Sequence, residues 1–165
     1  DITSRLKKEN FDVAVLMTQA ATEFITPLTL QVLSQRLVGL DIMQEPDPSK
    51  VNHINIAKET DLFLLAPATA NTIAKLANGL ADNMVTATAL ALPSHTKKIL
   101  APAMNTQMYE NPITQQNIDR LKLTGWKTIE PREAILACGD QGKGALAEID
   151  TIIDTVKELI YEKTV

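Results

Sequence analysis

Three short apolar runs and a fourth, shorter strand candidate constrain this chain more than any other feature. Residues 11–17, 61–66 and 98–101 are almost continuously apolar, as in Phe63-Leu64-Leu65-Ala66 and Ile99-Leu100-Ala101, and 126–129 reads as the last strand, opening on Trp126 and closing on Ile129. Strands buried on both faces read this way. Stretches of helical spacing lie between them: Leu28, Val32 and Leu33 share a face within 27–36, and Ile113, Ile118 and Leu121 mark another within 113–123. Parallel neighbours need long crossovers, usually helices. The pattern therefore predicts a three-layer α/β domain with a mostly parallel sheet. Residues 37–43 could add a short edge strand, and 149–162 reads as a closing amphipathic helix.

A chain of 165 residues is long enough for one domain with a sizeable core, and residues 1–165 are read as that single domain. The net charge of -4, with both signs mixed along the chain, excludes the basic stripe of a nucleic-acid binder. No apolar run approaches a membrane span, and no signal peptide is visible. A single cysteine rules out an intramolecular disulfide and suits a reducing, cytoplasmic setting. No Cys/His cluster has zinc-ligand spacing, so no metal is expected.

In open parallel sheets, ligands bind beyond the carboxyl ends of the strands. Four segments place polar chemistry there. Thr18 closes the 11–17 run, and a helical turn through Phe24 follows; Thr18 is either a helix cap or a hydroxyl donor, and Phe24 is core or a ligand wall. Pro67-Ala68-Thr69-Ala70-Asn71-Thr72 joins a strand to a helix through small side chains, which let backbone amides approach an anion or cofactor. Neither GxGxxG nor a Walker lysine motif is present. Pro102-Ala103-Met104-Asn105 leaves the 98–101 run, with Met108 close behind. Asn105 either caps the next helix or orients a carboxylate with its amide donors. His53 stands near the start of a helix over 51–58, where the helix dipole favours the neutral, proton-accepting ring. It could equally be a surface or capping histidine. His95 falls in a solvent-facing turn. Residues 134–148, with three glycines in six residues, read as a lid-like loop around Cys138, Gly139 and Asp140.

Three of these stretches resemble motifs of one family. PAMNTQMY (102–109) resembles the PxMNxxMW motif of the phosphopantothenoylcysteine decarboxylases, with Tyr109 in place of the usual Trp. PATANT (67–72) resembles their PxSANT motif, and Ala137-Cys138-Gly139-Asp140 resembles their substrate clamp. These decarboxylases belong to the homo-oligomeric flavin-containing cysteine decarboxylases. The resemblance implies a Rossmann-like, flavodoxin-like flavoprotein. It implies FMN as cofactor, held with the help of Thr18, Phe24, Thr69, Ala70, Asn71, Thr72 and Ala103. The implied reaction is conversion of 4'-phosphopantothenoylcysteine to 4'-phosphopantetheine in coenzyme A biosynthesis. The flavin oxidises the cysteinyl thiol to a thioaldehyde, and the sulfur then accepts the electrons left by CO2. Reduction of the resulting enethiol completes the cycle. By the same resemblance His53 moves a proton at the thiol stage and Asn105 holds the substrate carboxylate. Met104, Met108, Gly139 and Asp140 line the substrate, and Cys138 donates a proton in the reduction. A homotrimer or multiple of trimers is implied, with the alanine-rich helix from Met84 as a candidate contact.

Family members begin with a strand and a phosphate-binding loop, whereas this sequence opens on a helix over 1–10; weak FMN binding is the expectation if that segment is lacking. Related readings are a peptidyl-cysteine decarboxylase, against which Cys138 argues, and a flavin prenyltransferase, against which the PAMN stretch and His53 argue. A non-catalytic phosphatase-regulatory subunit of the halotolerance type would carry long acidic extensions, which are absent.

Overall fold

The computed structural model describes residues 1–45, 47–135, 137, 139 and 141–162. The chain divides into two compact units, one of Asp1–Thr60 with Leu80–Ser94, the other of Asp61–Gly79 with His95–Val165.

The second unit carries the sheet. β1 (Leu62–Ala68), β2 (Lys97–Pro102) and β3 (Trp126–Thr128) run parallel in that order, with Leu64 beside Ile99 and Leu100 beside Thr128. Side chains alternate between faces along a strand. Ile99, Leu100 and Ala101 are all fully buried, so both faces of β2 are covered. α7 (Pro112–Leu123) packs on β3 and on α4 (Ala70–Ala77), and α8 (Ile149–Tyr161) packs on β2. Ile73 of α4, Ile118 of α7 and Ile152 of α8 are each essentially inaccessible. Burying a side chain of this size contributes about 1.5–3 kcal/mol. Trp126 is core, meeting Phe63 edge-on with centroids 5.9 Å apart. α7 stops where Gly125 takes φ +89°, a left-handed conformation that glycine adopts without steric cost. Lys98 Nζ donates to the carbonyl of Thr124 at 2.7 Å and satisfies that helix end.

One sequence expectation changes in this unit. The glycine-rich stretch is not an irregular loop: β4 (Arg132–Ile135) and β5 (Gln141–Ala145) pair antiparallel as a hairpin. Gln141, Lys143 and Ala145 alternate with Gly142 and Gly144, a period of two that the glycine content hides. Leu136, Cys138 and Asp140, between the two strands in sequence, lie outside the described residues.

The first unit holds α1 (Ile2–Lys8) against α2 (Pro27–Ser34), and α3 (Asn52–Glu59) against α5 (Met84–Leu90). Residues 11–17 are extended but do not form the strand expected. Their one bridge is Leu16 with Gly39, made by Met17 N–H to Gly39 O and Gly39 N–H to Val15 O, both 2.9 Å. A strand needs a run of paired amides, and here only one residue pair is in register. The 37–43 edge strand reduces to the same bridge. Arg36 ties the segment down, donating to Asp12 at 2.8 Å with Glu59 at 3.9 Å. Met84, Thr86 and Thr88 of α5 have no exposed surface, so most of this helix packs within its own unit, while Leu90 at its end is 61% exposed. Exposed apolar side chains instead cluster in sequence at Phe24, Leu28, Val32 and Leu37.

Candidate active site

The carboxyl ends of β1 and β2 meet, with Ala68 beside Pro102 and Ala103 N–H donating to Ala68 O at 3.1 Å. Each strand runs straight into a helix start. β1 leads through Thr69 into α4, and β2 leads through Ala103, Met104 and Asn105 into α6 (Thr106–Glu110). The hairpin joins them: Met104 N–H donates to Gly144 O at 2.9 Å. A Cβ at position 142 would collide with the side chain of Thr106, so glycine there permits close backbone approach. The 67–72 loop, the 102–109 segment and the hairpin bearing the clamp stretch thus converge at one end of the sheet.

Thr69 and Asn105, the polar residues that open the two helices at this end, both act as helix caps. Thr69 Oγ1 accepts from Thr72 N–H at 3.3 Å, and Thr72 is buried. Asn105 Oδ1 accepts from Gln107 N–H at 2.9 Å. The bond turns the oxygen of the amide into the helix; Nδ2, at the other end of the same amide, carries the two donors whose chemistry suits a carboxylate. In the first unit Thr18 Oγ1 does the same for Ala21 N–H at 3.2 Å. Capping and ligand binding are compatible, because a helix start offers amides with no partner in its own helix. At α4 these are the first-turn amides of Ala70 and Asn71, beside an exposed Asn71 side chain. Met108 is half exposed. Gly139 is exposed, with φ +88°, while Cys138 and Asp140 lie outside the described residues.

Phe24 closes the turn that Thr18 opens, and it is 92% exposed, which excludes the core alternative. His53 sits in the first turn of α3, a helix capped from outside by Glu45, whose carboxylate accepts from Asn52 N–H at 2.6 Å. His53 Nδ1 is buried and has no hydrogen-bond partner among the described residues. A buried polar atom without a partner is uncommon and calls for an explanation such as a ligand. Among the described residues no cluster could hold a metal ion.

Sequence reasoning passed over one cluster. Glu130, between β3 and β4, accepts from Tyr109 Oη and from Lys143 Nζ, both at 2.8 Å, and Lys143 lies 5.5 Å from the Tyr109 ring centre. Burial, then the bond to Glu130, pushes the Tyr109 phenol up from 10.0 to about 12. The Lys143 ammonium holds the Glu130 carboxyl below its usual range, outweighing the opposing effect of burial. The signal was the Tyr in place of Trp at 109, which adds a hydroxyl that needs a partner. The phenol keeps its proton more tightly folded than unfolded. Its contribution is therefore full below pH 10.0 and is lost as pH rises towards about 12. Denaturation measured across that window should show stability falling with pH in the native chain and a flatter slope in Tyr109→Phe. Equal slopes would contradict this placement of the phenol.

Comparison with known proteins agrees with this geometry. A flavoprotein family model matches residues 1–161. A probable phosphopantothenoylcysteine decarboxylase of Streptococcus mutans is 59% identical over 96% of this chain and 88% of its own length. The coenzyme A biosynthesis bifunctional protein of Bacillus subtilis is 44% identical over 99% of this chain, which spans 40% of that relative. Among solved structures, a PPC decarboxylase mutant complexed with pantothenoylaminoethenethiol superposes with TM-score 0.84 at 30% identity, covering 98% of this chain and 89% of that one. The FMN binding protein AtHal3 does so with TM-score 0.81 at 32% identity, over 99% and 89%. The chain belongs to the flavoprotein family, on the branch of the phosphopantothenoylcysteine decarboxylases.

Proposed function

We propose that this chain is an FMN-dependent decarboxylase that converts phosphopantothenoylcysteine to phosphopantetheine in coenzyme A biosynthesis. The observation that carries it is the meeting of the 67–72 and 102–109 motif segments at the carboxyl end of β1 and β2, with β5 bonded to Met104 beside them. The relatives' names supply the substrate class, and a related structure is called an FMN binding protein. Residues 1–165 are read as one flavoprotein decarboxylase domain.

The residues present fit a flavin. The α4 start offers amide donors beside small side chains, the chemistry that holds an anionic or carbonyl-bearing cofactor. Thr18, Phe24, Thr69, Ala70, Asn71, Thr72 and Ala103 are the residues that would hold it. Bound FMN supplies the two-electron oxidation and reduction that neither a histidine nor a thiol can provide. Asn105 Nδ2 orients the substrate carboxylate, with Met104 and Met108 beside it and Gly139 and Asp140 on the clamp. His53 takes the thiol proton, which lets the carbon-bound hydride depart and makes CO2 loss possible. The sulfur receives the electron pair of the broken C–C bond. Cys138 returns a proton to carbon as the enethiol is reduced.

The same reading includes a homotrimer or a multiple of trimers. Leu28 and Val32, one helical turn apart on α2, are 65% and 68% exposed, and Phe24 and Leu37 extend that apolar stretch. Contiguous exposed apolar surface marks interaction sites. Light scattering with flavin present checks the assembly. No described helix is long and apolar enough to cross a membrane; a cytoplasmic site is part of the proposal. The substrate assignment is tested by supplying FMN with either phosphopantothenoylcysteine or a cysteine-ended peptide. CO2 should come from the first alone, and release from the peptide alone would contradict the reading.

A further inference from the structure

We infer that Tyr109, Glu130 and Lys143 form a latch that fixes the 132–145 hairpin against the Asn105 segment, making Tyr109 and Lys143 positioning residues for the substrate. The substrate part rests on the decarboxylase reading; the latch itself does not. Its three members come from three elements of one unit. Tyr109 is in α6, four residues after Asn105. Glu130 follows Ile129, whose N–H donates to Leu100 O at 2.8 Å, so its backbone is tied to the central strand. Lys143 is in the middle of β5, between the two glycines that approach residues 104–106.

One carboxylate oxygen of Glu130 therefore receives a donor from the site segment and a donor from the hairpin, both at 2.8 Å. The ion pair alone would do little, since the Lys143 and Glu130 side chains are 40% and 54% exposed and such pairs contribute about 0–1 kcal/mol. The phenol makes the difference: Tyr109 is 6% exposed and donates from a packed, fixed ring. Hydrogen bonds to charged groups are stronger than neutral ones. Two further ties join β5 to the Asn105 segment, the Met104–Gly144 bond and the Gly142–Thr106 contact, and neither involves a side chain of the hairpin. The latch supplies the side-chain lock on that register.

Amide hydrogen exchange of the full chain tests the latch without requiring activity. Tyr109→Phe should speed exchange at Met104 and across 141–145 by about tenfold, the loss expected for one charged hydrogen bond, and Lys143→Met by up to about fivefold, the ceiling for an exposed ion pair. Exchange in β1 and β2 should be unchanged, the double variant should add little to either single one, and Lys143→Arg should resemble the native chain. Unchanged exchange in β5, or a rise shared equally with β1 and β2, would overturn the latch. With FMN and phosphopantothenoylcysteine, the same two variants should raise KM by the same factors without changing FMN affinity, the same bonds now being lost from substrate positioning. Raised exchange with a native KM would overturn the positioning role. An inactive native chain would instead refute the decarboxylase reading, and the exchange result would still decide the latch.

Discussion

Replacing His53 with asparagine abolishes decarboxylation and leaves flavin bound. The expectation follows from where the ring is and what it lacks. His53 is held in the first turn of α3, its Nδ1 is buried, and that nitrogen has no partner among the described residues. Asparagine preserves size and some hydrogen bonding but cannot exchange a proton near neutral pH. Loss of general acid–base help costs about 10²–10⁴-fold in rate. FMN affinity, read by titration, should stay within about twofold because asparagine keeps a polar side chain at the site. CO2 release at the native rate would reduce His53 to an ordinary helix residue. Loss of flavin together with activity would assign it to cofactor binding instead.

Cys138→Ser should separate the two halves of the reaction. On the proposed mechanism, removal of the thiol proton and loss of CO2 do not call on the clamp thiol; the closing reduction does. A serine hydroxyl is a far weaker acid than a thiol, whose ordinary pKa is about 8.5. In a single anaerobic turnover the variant should release one CO2 and accumulate the enethiol. The absorbance of oxidised flavin should not return. Phosphopantetheine formation should drop by about 10²-fold or more, the cost of losing a general acid. Normal product formation would show that another group supplies the proton. Failure to release CO2 would show that Cys138 acts earlier.

The sheet and the site were legible to different degrees. The runs at β1 and β2 were readable because they are short, almost continuously apolar and bounded by turn residues, which suits a strand over a helix, and the loops after them announced themselves by small residues and proline. Residues 11–17 carry the same apolar signal yet make one bridge, because composition records burial and not whether a neighbour presents amides in register. The hairpin was hidden because its glycines suggested freedom. In fact Gly142 is constrained by Thr106. α5 looked like an outer contact because alanine and threonine suit any close packing, and the chain uses that packing internally. At the site, Thr18, Thr69 and Asn105 could each be read as cap or ligand group. All three cap, and their position at strand and helix ends keeps the second role available. The Tyr109–Glu130–Lys143 contact joins residues 13 and 21 positions apart, beyond the reach of any local pattern.

The mass of the product formed from phosphopantothenoylcysteine by the FMN-loaded native chain tests the central claim most directly. The proposal predicts a single product lighter than the substrate acid by CO2 alone: phosphopantetheine, with its thiol fully reduced. A product two hydrogens lighter, the enethiol, would place the chain with enzymes that stop after decarboxylation. Unchanged substrate in the presence of bound FMN would contradict the assignment.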